Sequence, residues 1–310
     1  MAMMRSALLA GAESVWLREK AMRYRFVRRS VSRFMPGESM DEALEASRRQ
    51  ERDRGTGTIL THLGENLTSP AEAEVVTAHY LQLIDRIAAG GLNAQISVKL
   101  TQLGLDLGMD GCLKNLSQLV ERSDSHRNMV WIDMESTPYV DRTLQVFRKM
   151  RERSTRVGVC LQAYLRRSQS DLEALLPLAP AIRVVKGAYR EPPSLAFPGK
   201  ADVDENYFRL ASRLVQGDVK PGTFLGIGTH DERLIERIRG VIRERQAAPS
   251  GHEFEMLYGI RRPLQGRLVA EQAPVRVLIS YGEFWFPWYM RRLAERPANV
   301  LFVARSMFGG

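Results

Sequence analysis

The sequence predicts an α/β protein, a distorted (β/α)8 TIM barrel preceded by helices, and three observations favour this fold. Eight short apolar runs suited to buried parallel strands follow one another after Gly55. Longer amphipathic stretches separate these runs, as crossover helices require. The segment from Gly55 to Gly310 is also close to the roughly 250 residues typical of such a barrel.

The chain before Gly55 has a different pattern. It is rich in Ala, Leu, Met, Glu and Arg, which favour helix, and Pro36 and Gly37 mark one break. We therefore predict two parts: a helical segment over residues 1–54 that packs on the barrel, and a catalytic barrel over residues 55–310.

The predicted strands share short length, apolar character and turn-forming neighbours. They are Thr58–His62, Gln95–Leu100, Met129–Met134, Val157–Gln162, Ile182–Lys186, Thr223–Gly228, Phe254–Leu257 and Val275–Ile279. Between the first two strands, the stretch Ser69–Ala89 opens with Pro in its first turn and ends at a Gly pair, which predicts a helix. An open doubly wound sheet is the alternative, but Gly226–Asp231 lacks the third glycine of a GxGxxG motif.

The composition limits the classes of function. The chain is 44% hydrophobic and 26% charged, an ordinary globular composition, and no apolar run approaches the roughly 20 residues that cross a bilayer. We expect a cytoplasmic protein, with peripheral contact at the inner face of the membrane left open. Cys112 and Cys160 form no CxxC motif, and the five histidines follow no ligand spacing. The sequence therefore predicts no metal site.

The formal net charge is +9, and basic residues are densest between Arg18 and Arg33, where aromatic residues interleave with them. A solvated helix face accounts for this pattern, and contact with anionic lipid is the alternative. The charge also motivates a second hypothesis, a non-enzymatic barrel that binds lipid or nucleic acid. No nucleic-acid motif supports it, and we predict no nucleic-acid partner.

Polar residues stand at the ends of most predicted strands. They are His62, Glu65, Lys99, Asp133, Glu135, Gln162, Tyr164, Lys186, Tyr189, Thr229, His230 and Glu255. One such residue could be structural, but a near-complete ring at the carboxyl ends of barrel strands predicts an active site. Arg183 lies inside a buried strand and needs a partner there, and Asp133 is a candidate partner for Arg183 or for Lys99.

A final helix is predicted between Pro287 and Pro297. Its helical spacing places one aromatic and three charged residues on one face, namely Trp288, Arg291, Arg292 and Glu295. Guanidinium groups can hold a carboxylate, the glutamate can attract an amine or brace an arginine, and the indole can cover an apolar ring. This face suits a zwitterionic amino acid, although an exposed Arg-Arg pair is more often a solvated surface.

Eight stretches together resemble the bacterial single-function proline dehydrogenases. They are Ser97–Leu100, Ile132–Glu135, Leu161–Arg167, Arg183–Tyr189, Lys200–Tyr207, Thr229–Asp231, Glu253–Arg262 and Tyr289–Asn299. The resemblance implies a distorted barrel with additional N-terminal helices, noncovalent FAD at the carboxyl ends of the strands, and a final helix over the active site. It also implies roles for particular residues.

By this resemblance, Asp133 and Arg183 are catalytic. The implied substrate-binding residues are Lys99, Tyr189, Leu278, Trp288, Arg291, Arg292 and Glu295. The implied FAD-binding residues are Met134, Gln162, Arg183, Lys186, Gly187, Ala188, Thr229 and His230. The implied reaction is hydride transfer from C5 of L-proline to FAD, which gives Δ1-pyrroline-5-carboxylate. A quinone or other acceptor then takes the electrons, and a separate pyrroline-5-carboxylate dehydrogenase acts next.

One position departs from the family pattern. Many relatives carry tyrosine in the last strand where this chain has Leu278. Leucine cannot make the hydrogen bond of a tyrosine hydroxyl, which changes the polarity and size of that part of the site. The hypothesis that the substrate is 4-hydroxyproline or an N-modified proline therefore stays open beside proline itself.

Overall fold

Eight parallel strands close into a barrel in which each strand pairs with its neighbours in sequence and β8 pairs with β1. The structure is a computed structural model that describes residues 33–64, 67–248 and 251–286. The strands are β1 (Gly57–His62), β2 (Ala94–Val98), β3 (Val130–Ile132), β4 (Val157–Gln162), β5 (Ala181–Val185), β6 (Phe224–Gly228), β7 (His252–Leu257) and β8 (Val275–Tyr281).

Eight α-helices of the described part surround the strands. They are α1 (Met40–Arg54), α2 (Pro70–Ala89), α3 (Met109–Ser125), α4 (Val140–Arg151), α5 (Ser168–Leu175), α6 (Lys200–Leu214), α7 (Glu232–Glu244) and α8 (Arg262–Ala270). Three short 3-10 helices that lie wholly within the described residues, at Thr101–Leu103, Thr137–Tyr139 and Leu176–Leu178, belong to the connections. None of the described helices is long and apolar enough to span a membrane.

The eight predicted strands and the predicted barrel are confirmed. The ends of several strands differ by one or two residues, and β3 is the shortest because the chain leaves the sheet after Ile132. The helix predicted at Ser69 is also confirmed. Ser69 caps α2 by accepting a hydrogen bond from the Glu72 amide, and Pro70 occupies the first helical position.

Residues on the outer side of the strands pack against the helices. Val130, Ile132, Val157 and Val159, for example, are fully buried in the main apolar core. The inner side differs from the apolar filling usual in such barrels. It carries buried polar and charged residues, among them Ser97, Arg183, Glu253 and Glu255, and these residues build the candidate site.

Helix α1 packs beside β1 and β8. Its N-terminus has a capping box between Ser39 and Glu42, and it ends at Gly55 in a left-handed conformation. The hydroxyl groups of Ser47 and Thr58 lie 2.6 Å apart between α1 and β1, and Leu44 is fully buried. Thus α1 occupies the groove that the helix after β8 would take in a regular barrel. The remainder of the predicted N-terminal helical segment, residues 1–32, lies outside the described residues.

Candidate active site

Arg183 is the centre of the polar cluster inside the barrel. Its side chain, carried by β5, is buried, and Nη1 donates to Asp133 Oδ1 at 3.0 Å and to Ser97 Oγ at 3.0 Å. Its Nε donates to Glu255 Oε2. The guanidinium group also lies 4.5 Å from the centre of the Trp131 ring, which adds a cation–π contact. Arg183 is therefore a partner of Asp133, as one of the two predicted pairings requires.

The charges in this cluster depend on one another. Burial alone would lower the pKa of Arg183, but Glu255, Cys160 and Asp133 outweigh it and raise the pKa, so the guanidinium stays charged. Burial also raises the pKa of Glu255 to about 7, although Arg183 opposes this shift. The buried Arg183 guanidinium thus forms ion pairs with two carboxylates. Removing these charges from water costs free energy, which the ion pairs offset only if their geometry is well defined.

Asp133 connects this cluster to the mouth of the barrel. Its Oδ1 accepts a hydrogen bond from Ser97 Oγ at 2.7 Å in addition to the one from Arg183. Its side chain is 24% exposed, compared with 4% for Arg183, so it is the more accessible member of the pair. Leu278 packs instead against an apolar group that includes Ile59. Asp133 is therefore oriented by a serine and an arginine from two other strands.

Three of the buried polar atoms that have no hydrogen-bond partner within the described residues lie on β4 and β5 or just after β4. They are Arg183 Nη2, Gln162 Oε1 and the Tyr164 hydroxyl. The other end of the Gln162 amide is fixed, because Nε2 donates to the Met134 carbonyl at 3.2 Å. Buried polar atoms are nearly always satisfied in native proteins. These atoms can therefore bind a polar ligand through one donor, one acceptor and one hydroxyl group.

The chain after β5 turns closely over the ring of Tyr164. Gly187 has a φ angle of +111°, and a Cβ atom there would lie 2.2 Å from Tyr164 Cδ1. Both the conformation and the space require glycine. Gly187 and Ala188 are exposed, and Tyr189 is half-buried. This turn therefore brings the predicted ligand-binding stretch across the end of β4.

Lys186 lies in a cluster of two lysines and two aspartates. Its Nζ lies 2.5 Å from Asp204 Oδ1 and 2.8 Å from Asp231 Oδ2, and Lys200 contacts the same two aspartates. Burial opposes the ionisation of Asp231, but hydrogen bonds and charge from the two lysines lower its pKa to about 2. A ligand phosphate at Lys186 would have to share this lysine with two carboxylates.

Thr229 and His230 follow β6 on the same side of the barrel. The Thr229 hydroxyl accepts a hydrogen bond from the Asp231 amide at 3.2 Å. His230 Nε2 accepts one from the Leu257 amide at 2.9 Å, which joins the end of β6 to the end of β7. Both residues therefore have a structural partner at the position predicted to contact a cofactor.

Lys99 and Glu135 form the opposite side of the site. Glu135 accepts hydrogen bonds from the amide of Thr101 at 3.2 Å and from its hydroxyl at 2.8 Å. Burial raises the pKa of Glu135, and the Thr101 hydroxyl and the charge of Lys99 counteract the shift. Lys99 is half-buried and directly follows β2, the strand that carries Ser97.

The structure brings the predicted residues from β2 to β6 to one end of the barrel. Trp288, Arg291, Arg292 and Glu295 lie outside the described residues, so the predicted carboxylate-binding helix stays a prediction. Ser97 and Glu255 hold Asp133 and Arg183; Glu255 belongs to the predicted ring of polar residues but had no individual role, and Ser97 was not in that ring. Their position in the strands could have indicated these contacts, because alternate residues of a barrel strand point into the barrel and both Ser97 and Glu255 occupy inward positions.

Comparison with known proteins identifies the family. The sequence profile described as "Proline dehydrogenase" matches residues 43–305. The chain belongs to the proline dehydrogenase family. It is 39% identical over 259 residues to Proline dehydrogenase 2 of Bacillus subtilis (strain 168), which covers 84% of each chain. It is also 39% identical over 285 residues to Proline dehydrogenase of Deinococcus radiodurans, which covers 90% of each chain.

Membership of this family decides between the two classes of hypothesis. The protein is an oxidoreductase that acts on proline in proline catabolism, not a non-enzymatic binding barrel. Proline dehydrogenases are generally flavin-dependent.

Solved structures with the same fold include two proline utilization A (PutA) proteins. The one from Bdellovibrio bacteriovorus, inactivated by N-propargylglycine, aligns with a TM-score of 0.79 at 24% identity over 86% of this chain. The Bradyrhizobium japonicum mutant D779Y aligns with a TM-score of 0.75 at 24% identity over 91% of this chain. This chain spans about a third of each PutA chain, 32% in both cases. At this level of identity the similarity establishes the barrel fold.

Proposed function

We propose that this proline dehydrogenase transfers a hydride from C5 of L-proline to noncovalent FAD and releases Δ1-pyrroline-5-carboxylate. The observation that carries the proposal is Arg183, a buried cation held by Ser97 on β2, Glu255 on β7 and Asp133 just after β3, with Nη2 left without a partner among the described residues. A fixed positive charge beside a flavin favours electron uptake.

The residues present fit a flavin. Its ring edge carries both hydrogen-bond acceptors and a donor, and Arg183 Nη2 and Gln162 Oε1 offer the complementary groups. Met134, Lys186, Gly187, Ala188, Thr229 and His230 would hold other parts of FAD. When bound, FAD supplies the hydride-accepting chemistry. The protein's own residues then have to position the substrate, exclude water and stabilise charge.

The substrate would be held from two sides. Lys99 at the end of β2, with Arg291 and Arg292, would bind the proline carboxylate, while Glu295 pairs with the arginines. Tyr189 and Trp288 would contact the ring. Helix α1 occupies the groove beside β8 and β1, and we propose that the predicted final helix lies over the barrel mouth. Asp133 would complete the catalytic group beside Arg183.

The steps around the reaction follow from its chemistry. The two electrons removed from proline must leave the reduced cofactor, and we propose a quinone-type acceptor. A separate pyrroline-5-carboxylate dehydrogenase would consume the product. The proposed location is the cytoplasm, with residues 1–54 as a helical segment on the catalytic barrel of residues 55–310. The basic stretch between Arg18 and Arg33 would be the point of any peripheral membrane contact.

Anaerobic spectroscopy tests the proposed reaction. Purified protein should show bound FAD, and L-proline should bleach the flavin absorption with formation of one equivalent of Δ1-pyrroline-5-carboxylate. Arg292→Met should keep the oxidised flavin spectrum and abolish turnover. A protein that takes up no FAD would overturn the proposal, and normal proline affinity in Arg292→Met would overturn the carboxylate assignment alone.

Leu278 supports a second substrate candidate, 4-hydroxyproline or an N-modified proline. This side chain belongs to an apolar group with Ile59 and Trp131, so it offers no hydrogen bond where many relatives carry tyrosine. Initial rates on proline and hydroxyproline, measured with an artificial quinone acceptor, separate the candidates. Leu278→Tyr provides the matched variant: if Leu278 sets the preference, the ratio of the two rates should change several-fold.

A further inference from the structure

Glu255 reaches Arg183 across an intervening strand. Arg183 lies on β5 and Glu255 on β7, with β6 between them. The residue of β6 that pairs with Arg183 is Gly226. A Cβ atom at Gly226 would lie 2.3 Å from Glu255 Oε1 and 3.3 Å from Arg183 Cα. The absence of a side chain at this one position leaves the path that the glutamate needs.

The contact fixes one edge of the guanidinium group. Glu255 Oε2 accepts from Nε of Arg183, while Nη1 of the same group donates to Asp133 and Ser97. Nη2 is the nitrogen without a partner among the described residues. Because the guanidinium is planar, fixing Nε and Nη1 also fixes the direction of Nη2. Glu255 thus determines how the arginine presents its unused donor.

Glu255 also determines how much positive charge the site presents. Its side chain is only 3% exposed, so water screens the pair weakly. The second carboxylate oxygen, Oε1, has no hydrogen-bond partner within the described residues. A buried glutamate in contact with Arg183 therefore offsets part of the field that this arginine exerts at the mouth of the barrel.

We propose that Glu255 is a positioning residue for the reaction: it orients Arg183 through Nε and lowers the positive potential that Arg183 presents to bound FAD. This inference rests on the proposed function, in which Arg183 lies beside the flavin. A purely structural ion pair would affect folding stability and leave the flavin's reduction potential unchanged. The two interpretations therefore differ in a measurable quantity.

The chain contains a matched control on the same strand. Glu253, two residues earlier on β7, is also buried and forms an ion pair, with Arg276 Nε at 3.0 Å. Nη1 of Arg276 also donates hydrogen bonds to two carbonyl oxygens, those of Thr58 at the start of β1 and Asn93 just before β2. This pair therefore lies toward the amino ends of the strands, away from the candidate site.

The experiment compares Glu255→Gln with Glu253→Gln in the FAD-bound protein at about pH 8.5, where the Glu255 carboxyl group is ionised. Both substitutions remove one buried charge with little change of shape, so both should lower the thermal unfolding temperature. Glu255→Gln should also shift the equilibrium between oxidised and reduced flavin about tenfold toward the reduced form, a potential about 30 mV more positive for a two-electron couple. Glu253→Gln should shift this equilibrium less than about twofold.

A second variant covers the case in which Glu255→Gln does not fold. Gly226→Ala displaces the Glu255 carboxylate without removing it and should shift the potential in the same direction. Equal potentials in wild type and in the foldable variants, or equal shifts in Glu255→Gln and Glu253→Gln, would overturn the inference. Failure of the wild-type protein to bind FAD, or of proline to reduce it, would instead overturn the proposed function.

Discussion

The hydroxyl oxygen of Ser97 lies 2.7 Å from Oδ1 of Asp133. Ser97 lies on β2 and is fully buried, and Asp133 directly follows the adjacent strand β3. The hydrogen bond orients the carboxylate toward Arg183 in a barrel whose last strand carries Leu278 and no tyrosine at that position. A small residue on a neighbouring strand thus orients the predicted catalytic aspartate.

Ser97→Ala tests this relationship. Removal of the hydroxyl should lower kcat about tenfold, because Asp133 loses its shortest hydrogen bond from a side chain, and should lower stability by about 1 kcal/mol. Steady-state kinetics and urea unfolding measure the two effects. Ser97→Thr, which keeps a hydroxyl group, is the control and should retain most activity. Unchanged kcat in Ser97→Ala would show that Asp133 does not need this orientation.

Arg183→Lys should be severely impaired although the charge is kept. An ammonium group cannot reproduce the separate contacts of Nε and Nη1, nor offer the unused Nη2. We expect a loss of about 10²–10³-fold in kcat with proline, typical for removal of one fixed electrostatic donor. Arg276→Lys, at a half-buried arginine near the other end of the barrel, should lower stability and retain kcat. Comparable activity losses in both variants would contradict the assignment.

Gly187→Ala should destabilise the protein. Its φ angle of +111° is unfavourable for alanine, and the added Cβ would meet the Tyr164 ring. The expected loss is about 1–3 kcal/mol in the free energy of unfolding. Gly240→Ala provides the control, because Gly240 lies within α7 with nothing near its Cβ position. That substitution should raise stability by about 0.5–1 kcal/mol.

His62 should make the folded protein sensitive to acid. Burial, and then the neighbouring charge of His79 at a ring separation of 4.3 Å, lower the pKa of His62 to about 4 from its usual 6.5. Between these values the unfolded chain binds a proton that the folded chain does not, so stability is retained above pH 6.5 and lost as pH falls toward 4. Allowing for partial exposure, the contribution lost by pH 5 is about 1 kcal/mol.

His62→Gln tests this pH dependence by comparison with wild type. The difference in unfolding free energy between pH 7 and pH 5 should shrink by about 1 kcal/mol. An unchanged difference between the two pH values in His62→Gln would contradict the assignment. Comparing variants with wild type is necessary because the raised pKa of Glu255 acts with the opposite sign: its contribution is present at low pH and lost toward pH 7.

Local sequence determined the order and type of the elements. Apolar strands such as Val157–Gln162 and capped helices such as α2 depend on residues close together in the chain. Periodicity and turn residues therefore suffice to predict them. The same reasoning placed Lys99, Asp133 and Lys186 at strand ends, because the carboxyl ends of parallel strands meet on one side of a barrel.

Tertiary structure alone decided which of these residues touch. Arg183 forms hydrogen bonds with Glu255, which is 72 residues away in the sequence, and with Ser97, which is 86 residues away. Those contacts depend on barrel closure, on the register of β5 with β6, and on a glycine at position 226 that no local pattern connects to Glu255. Propensity acts over a few residues, whereas inward side chains of a closed barrel interact across its interior. The sequence by itself thus determined the barrel and the ring of polar residues at its mouth, and folding decided how Arg183 is held there.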